Sequence, residues 1–424
     1  MQLDVQVISE QIVKPSSPTD DRLRRYQLSF LDQQTPLLYN AMVYFYQKIC
    51  NIEANKITIF DRLKHSISNA LTCFYPLAGR IMEDQLFVDC NDEGIPFLEA
   101  RVKCQLLDVL NNPTPKELNK LLPFEFHVSG TDAEHVLLGI QFNVFDCGGI
   151  GIGICISHKI GDALSFFSFV NIWASIARGE TNLIVPEFKS ASLFPPRAIP
   201  EAPQLKKEQI VTKRFVFGAT KVEEIRRKYG ENASQKRPSR VEALSAFIWD
   251  RFVTAFGLRS RPDTLCTIIH AVNLRARIDP PLPGSSFGNL YSLAVTIPSM
   301  DNNIVTQIRD SFKALNSEYV KKLQDGNDHL KYFRERTNYA KGEILTFGFT
   351  SLCRLPMYEA DFGWGKPIWA SSVDRQIKNV TTFMDTINGD GIEAWIALNE
   401  EEMAKFDCDE ELLAYVNNPK SLQR

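Results

Sequence analysis

Apolar side chains recur every three or four positions at Leu63, Ile67, Leu71 and Phe74, until Pro76 stops the run. That spacing predicts a helix over 61–74. Ahead of it, apolar and polar residues alternate around Val5, Val7 and Ile8, and Pro15-Ser16-Ser17-Pro18 then forces a turn. In LFVDCNDEGIPFLEARV (86–102), two short apolar runs flank the turn formers Asn91 to Gly94, which predicts a hairpin. The strongest strand patterns are HVLLGIQFNVF (135–145) and IGIGICIS (150–157), separated by Asp146-Cys147-Gly148-Gly149. The second is almost wholly apolar, as expected for a strand buried on both faces. It delivers the chain to Ser157-His158, after which Leu164, Phe167, Val170 and Trp173 mark a helix ending near Gly179.

Periodicity is lost over 181–212, a stretch carrying Pro186, Pro195, Pro196, Pro200 and Pro203. This is the expected crossover linker between one domain at 1–180 and another at 213–424. The second half alternates again. KRFVFG reads as a strand, TKVEEIRRKYG as a helix closed by glycine, and SRVEALSAFIWDRFVTAF as a longer helix starting near Ser239. CTIIHAVNLRAR returns to strand, helix follows over about 303–325, and ILTFGFTSL, NVTTFMDT and GIEAWIAL make a strand-rich end. The fold class is α/β with two domains of similar texture and no repeat at fixed period.

Composition narrows the function. The 424 residues are 44% hydrophobic and 23% charged, with a formal net charge of −3. These are globular values, with no general attraction to nucleic acid or anionic lipid. Nine cysteines without C-x-x-C read as reduced thiols rather than a disulfide or zinc framework. Neither a secretory signal nor a membrane span is expected, and the C-terminus matches no organelle address. Cytoplasm is the expected location.

The chemistry centres on His158, one of six histidines. It ends the most apolar strand and stands four residues before Asp162. Imidazole suits general base work near neutral pH, and a nearby carboxylate can orient it. A structural histidine at a strand end or a contact to a cation or phosphate are the competing readings. No metal site is expected, because no further ligands stand at a recognised spacing. G-x-S-x-G is absent, and the glycines at 148, 149, 151 and 153 lie in a strand pattern instead of opening a helix. Asp361-Phe362-Gly363 lacks the glycine-rich loop and H-R-D that accompany it in protein kinases.

HKIGDALS (158–165) and DFGWGKP (361–367) together resemble the two diagnostic motifs, H-x-x-x-D and D-F-G-W-G, of the plant BAHD acyl-CoA-dependent acyltransferases. LSFLDQ (28–33), FYPLAGR (74–80), VDCNDEGIPFLEA (88–100), NLRAR (273–277) and FGNL (287–290) add matches almost end to end. The flanking text is most similar to the alkaloid-acetylating, vinorine synthase-type branch. The resemblance implies two similar-sized chloramphenicol acetyltransferase-like domains with mixed β-sheets and an active-site channel at their interface. It implies transfer of an acyl group, foremost acetyl, from acetyl-CoA or another acyl-CoA to a hydroxyl of a plant specialised metabolite, foremost an alkaloid. Acyl-CoA is then a cosubstrate rather than a bound cofactor, and a monomer is expected. Transfer to volatile or phenylpropanoid alcohols or amines is the alternative, with a catalytically weak small-molecule-binding relative behind it.

Residue by residue, His158 matches the catalytic base and Asp162 the motif aspartate, whose arginine partner corresponds to Arg275. Asp361, Gly363, Trp364 and Gly365 match a structural loop; the coenzyme A contacts are unassigned. Where hydroxycinnamoyl-transferring relatives carry T-x-W, this chain has Thr350-Ser351-Leu352. Thr350 remains an oxyanion candidate, whereas leucine cannot donate a hydrogen bond. Of the 28 phenylalanines, Phe142, Phe145, Phe166, Phe167, Phe347 and Phe349 lie near the recognised segments. They are expected mainly in the core.

Overall fold

The computed structural model describes residues 1–48, 52–82, 86–124, 136–197, 209–230, 237–258, 264–299, 303–326, 344–375 and 377–416, with 52–58 as backbone only. Strands β1 (Val5–Val13), β2 (Arg25–Gln27), β3 (Tyr39–Tyr46), β4 (Arg80–Ile81), β5 (Phe87–Asp89), β6 (Ile95–Val102), β7 (Leu138–Phe145) and β8 (Ile150–Ser157) come first. They are followed by β9 (Ile210–Phe217), β10 (Leu265–Asn273), β11 (Tyr291–Thr296), β12 (Ile344–Ser351), β13 (Trp369–Ser371), β14 (Val380–Asp385) and β15 (Ile392–Asn399).

The chain forms two compact units. The first comprises Met1–Pro203, Pro283–Leu290 and Leu355–Asp374. Its main sheet has the order β1-β6-β7-β8-β3-β13, with β2-β5-β4 as a small second sheet. In the main sheet only β6 and β7 pair in parallel. Every residue of β7 and β8 is buried, as the apolar run at 150–157 predicts. The helices Ile52–Cys73 and Ala163–Ala177 pack on one another. Trp173, fully buried, donates its indole N–H to Ser66 Oγ at 3.0 Å between them. Glycine in β8 has a local cause: a Cβ on Gly153 would lie 1.9 Å from the Leu121 carbonyl oxygen. At Gly153 the small residue is therefore required by a close approach of backbone to strand.

The second unit comprises Gln204–Leu282, Tyr291–Arg354 and Arg375–Arg424. Its sheet runs β11-β10-β12-β14-β15-β9, with β10–β12 and β12–β14 parallel and the other pairs antiparallel. The helix Arg240–Ala255 starts at Ser239, whose side chain and that of Glu242 complete a capping box. Its apolar stripe, Leu244, Phe247, Ile248 and Phe252, is fully buried in this unit's core. Phe347 and Phe349 lie in the same core, and all six phenylalanines singled out above are buried.

Two expectations are corrected. The runs around Asn91–Gly94 do not pair as a hairpin: β5 pairs with β2 and β4, whereas β6 pairs with β1 and β7. β6 is buried over most of its length, so both its edges are taken by long partners, and the three-residue β5 joins the small sheet. The second correction concerns domain boundaries. The segments 283–290 and 355–374, expected within 213–424, belong to the first unit. The reason is long-range pairing: β13 adds to the edge of the first sheet through Trp369–Phe45, Ala370–Tyr44 and Ser371–Val43.

Candidate active site

His158 follows β8 directly, between β7 and β3 in the sheet order. Its backbone N–H donates to the Leu38 carbonyl at 2.6 Å, holding the residue against the start of β3. Its ring is half-buried, and Nδ1 lies 3.1 Å from Asn289 Oδ1. The orientation of Asn289 follows from its other partners. Asn289 Nδ2 donates to the His158 carbonyl at 2.7 Å and to Asp32 Oδ1 at 2.9 Å. Both are pure acceptors, so the amide nitrogen must face them and the amide oxygen must face the imidazole. An oxygen at Nδ1 selects the tautomer with the proton on Nδ1. The lone pair is then on Nε2, where a base needs it.

Asp162 serves another purpose. It is the N-cap of the helix Ala163–Ala177. Its Oδ1 accepts from the Ser165 backbone N–H and hydroxyl, both at 3.0 Å, and Oδ2 accepts from the Leu290 N–H at 3.1 Å. Ser165 Oγ in turn accepts from the Gly288 N–H at 3.1 Å. Asp162 thus ties the helix start to the segment that carries Asn289. Gly288 has φ +133°, and a Cβ there would lie 2.8 Å from Ser190 Cβ, so a side chain would push the segment away. From the other side Glu187 grips the same segment: its N–H donates to Ser285 O and its carbonyl accepts from Phe287 N–H.

The 361–365 loop is built as a clip on the first unit. Asp361 Oδ1 accepts from the Gly363 and Gly365 N–H groups at 2.7 and 2.9 Å. Both glycines have positive φ, 99° and 104°. Phe362 meets Trp173 edge-on at 4.6 Å and stacks with Trp364 at 5.6 Å. The Arg62 guanidinium lies 5.2 Å over the Trp364 ring and donates to the Phe362 carbonyl. The loop touches the helices behind the sheet, which gives it a packing role.

Arg275 and Thr350 belong to the second unit. Arg275 is buried in the turn Arg275–Arg277, with its backbone N–H and Nη1 donating to Asn273 Oδ1. Thr350 lies near the end of β12, opposite Thr382 of β14. Leu352 is buried, its N–H bonded to the Phe383 carbonyl. Among the remaining histidines, His270 is a core residue: Nε2 is 3.0 Å from Ser245 Oγ, the ring stacks on Phe349, and burial pushes its pKa down to about 3. His127, His135 and His329 lie outside the described residues.

Sequence reasoning missed Asn289 and Asp32 as site residues, although FGNL and LSFLDQ contain them. Asp32 had a readable signal, since Ser29-x-x-Asp32 is a capping-box spacing. Nothing local marks Asn289 as the partner of a histidine 131 positions away.

Known proteins resemble this chain over nearly its whole length. The Transferase family profile matches residues 3–413. Stemmadenine O-acetyltransferase of Catharanthus roseus is 39% identical over 96% of both chains. Limonoid 21-O-acetyltransferase of Melia azedarach is 36% identical over 99% of this chain and 100% of its own. The crystal structure of vinorine synthase superimposes with a TM-score of 0.84 at 35% identity, covering 98% of this chain and 99% of that one.

Proposed function

Since this chain belongs to the plant BAHD family of acyl-CoA-dependent O-acyltransferases, we propose that it acetylates a hydroxyl of an alkaloid from acetyl-CoA, with His158 as the base. The observation that carries the chemistry is the Asn289 amide oxygen at His158 Nδ1. With the proton held on Nδ1, Nε2 accepts the proton of the acceptor hydroxyl while that oxygen attacks the thioester carbonyl. A C–O bond forms and a tetrahedral intermediate results. Its collapse breaks the C–S bond, and the imidazolium returns its proton to the departing thiolate. No covalent acyl-enzyme is needed. The alkaloid acceptor is supported by similarity to stemmadenine O-acetyltransferase and vinorine synthase, while the limonoid relatives put a polycyclic terpenoid alcohol second.

The remaining assignments extend this reading. Arg275 is the proposed ionic partner of Asp162, and a double-mutant cycle on stability measures their coupling. Thr350 is the proposed oxyanion donor. Thr350→Val is expected to lower kcat about 10²–10³-fold, as for loss of one such donor, with the KM for acetyl-CoA little changed. Steady-state kinetics checks this, and an unchanged kcat removes Thr350 from the mechanism. We further place the enzyme in the cytosol as a monomer; among the described residues no helix is long and apolar enough to cross a membrane, and the eight described cysteines are free thiols.

A mass-spectrometric screen of purified protein with acetyl-CoA and polycyclic alcohols, weighted toward indole alkaloids and including limonoids, tests the function. Acetylation of an alkaloid hydroxyl supports it. Acetylation of limonoids alone moves the acceptor class, and no ester from any acyl-CoA overturns the reading.

A further inference from the structure

The segment holding Asn289 is itself held by a buried charge. Asp32 is completely buried in the first unit. Its Oδ1 accepts from the Asn289 backbone N–H and Nδ2, both at 2.9 Å. Its Oδ2 accepts from the Ser29 N–H at 2.9 Å and the Ser29 hydroxyl at 2.6 Å. Four donors converge on two oxygens, an arrangement that a carboxylate satisfies and a protonated acid, which must itself donate, does not. Burial raises the carboxyl pKa above its ordinary value, and the bonds from Ser29 and Asn289 offset only part of that rise. Asp32 completes a capping box with Ser29 on the short helix Phe30–Gln34 through Oδ2, but capping leaves Oδ1 unused, and that oxygen is the one that holds Asn289.

We propose that Asp32 is a positioning residue that fixes both the tautomer and the basicity of His158 through the relay Asp32–Asn289–His158. The inference rests on His158 being the base. The carboxylate orients the Asn289 amide so that its oxygen, not its nitrogen, meets Nδ1. When His158 takes up a proton, the same hydrogen-bonded chain stabilises the imidazolium, since the amide polarised by Asp32 is a stronger acceptor for Nδ1–H. A neutral amide at position 32 disrupts this in either orientation. With its nitrogen toward Ser29, donors face donors there. With its nitrogen toward Asn289, it opposes both the backbone N–H and Nδ2 there, so the amide oxygen is no longer held on the imidazole and the Nδ1–H tautomer loses its support.

Other charged and titratable groups surround the relay. Lys159 is buried next to His158; its Nζ donates to the Gln33 carbonyl at 2.9 Å and it interacts with Asp32 through space. Tyr26, also buried, feels the Asp32 charge and has its phenol pushed well above the usual range by burial. Asp162 stands on the far side of the Asn289 segment through its bond to Leu290. The Asn289 amide that Asp32 polarises favours the charged imidazole, so removing Asp32 is expected to move the histidine titration toward lower pH.

The test reads the imidazole directly. Nitrogen-15 histidine spectra of wild type and Asp32→Asn are recorded across pH, with the His158 signals assigned by their loss in His158→Gln. The wild type is expected to show His158 protonated on Nδ1 in its neutral form. Folded Asp32→Asn is expected to lose that preference and to titrate at lower pH. Its kcat is expected to fall up to about 10²-fold, the order of loss when a reacting group is misplaced by about 1 Å, and the rising limb of kcat/KM is expected to shift the same way. A folded variant with unchanged tautomer and titration overturns the proposal. If Asp32→Asn does not fold, Asn289→Ala, which keeps Asp32 and cuts the relay, must give the same downward shift; an unchanged titration there also overturns it. The spectra need no substrate, so an absence of ester formation by the wild type strikes the proposed function and leaves this test standing.

Discussion

His158→Ala is expected to lower kcat/KM by about 10²–10⁴-fold, the range that a positioned general base contributes, while the protein stays folded and still binds acetyl-CoA. The expectation follows from position. His158 is half-buried at the end of a strand that is buried throughout, and its backbone N–H, bonded to Leu38 O, survives the substitution. What is lost is the Nε2 lone pair. Circular dichroism and calorimetric titration with acetyl-CoA, run beside the kinetics, separate lost chemistry from lost structure. Activity within a few-fold of wild type removes His158 from the mechanism.

The second large effect is expected from Asp162→Ala, and it differs in kind. Losing the N-cap of Ala163–Ala177 costs about 1 kcal/mol. Leaving the buried Leu290 N–H without its acceptor costs about 1–3 kcal/mol more. Freed from Asp162, the 286–290 segment no longer holds Asn289 on His158, and a misplacement of about 1 Å can cost on the order of 10²-fold in rate. The variant should therefore unfold at lower denaturant concentration and have a lower kcat, with a much smaller change in KM for acetyl-CoA. Asp162→Asn, which keeps an acceptor oxygen for Ser165, should recover part of the stability. An Asp162→Ala protein of wild-type stability contradicts the anchoring role, whatever its activity.

The contrast between these residues explains what was legible in the sequence. The run 150–157 is apolar enough to be read as a buried strand, and that reading puts His158 at a strand end. A helix start near Ser239 was readable in the same way, and the structure adds Glu242 as the other half of a capping box three residues on. These features depend on near neighbours. β3 escaped notice because its mixture of tyrosine, asparagine and apolar residues follows neither a strict two-residue nor a helical period. The hairpin expected at 86–102 failed because turn residues fix a reversal but do not choose strand partners. The 355–374 segment was placed with the wrong half for a related reason: β13 pairs with a strand more than 300 positions earlier, and no local pattern encodes that. Asp32 and Asn289 were visible only as parts of matched motifs. Their roles emerge when folding brings residues 257 positions apart into hydrogen-bond contact.

The central claim is that His158 removes a proton from the acceptor and never carries the acyl group. Rapid-mixing measurement of coenzyme A release from acetyl-CoA, with and without the alcohol found in the screen, addresses it directly. Thiol release is expected to require the alcohol and to equal the ester formed, with no burst when the alcohol is omitted. A burst approaching one thiol per protein without acceptor, together with an acetyl adduct on the intact protein, would show a covalent intermediate and contradict direct transfer.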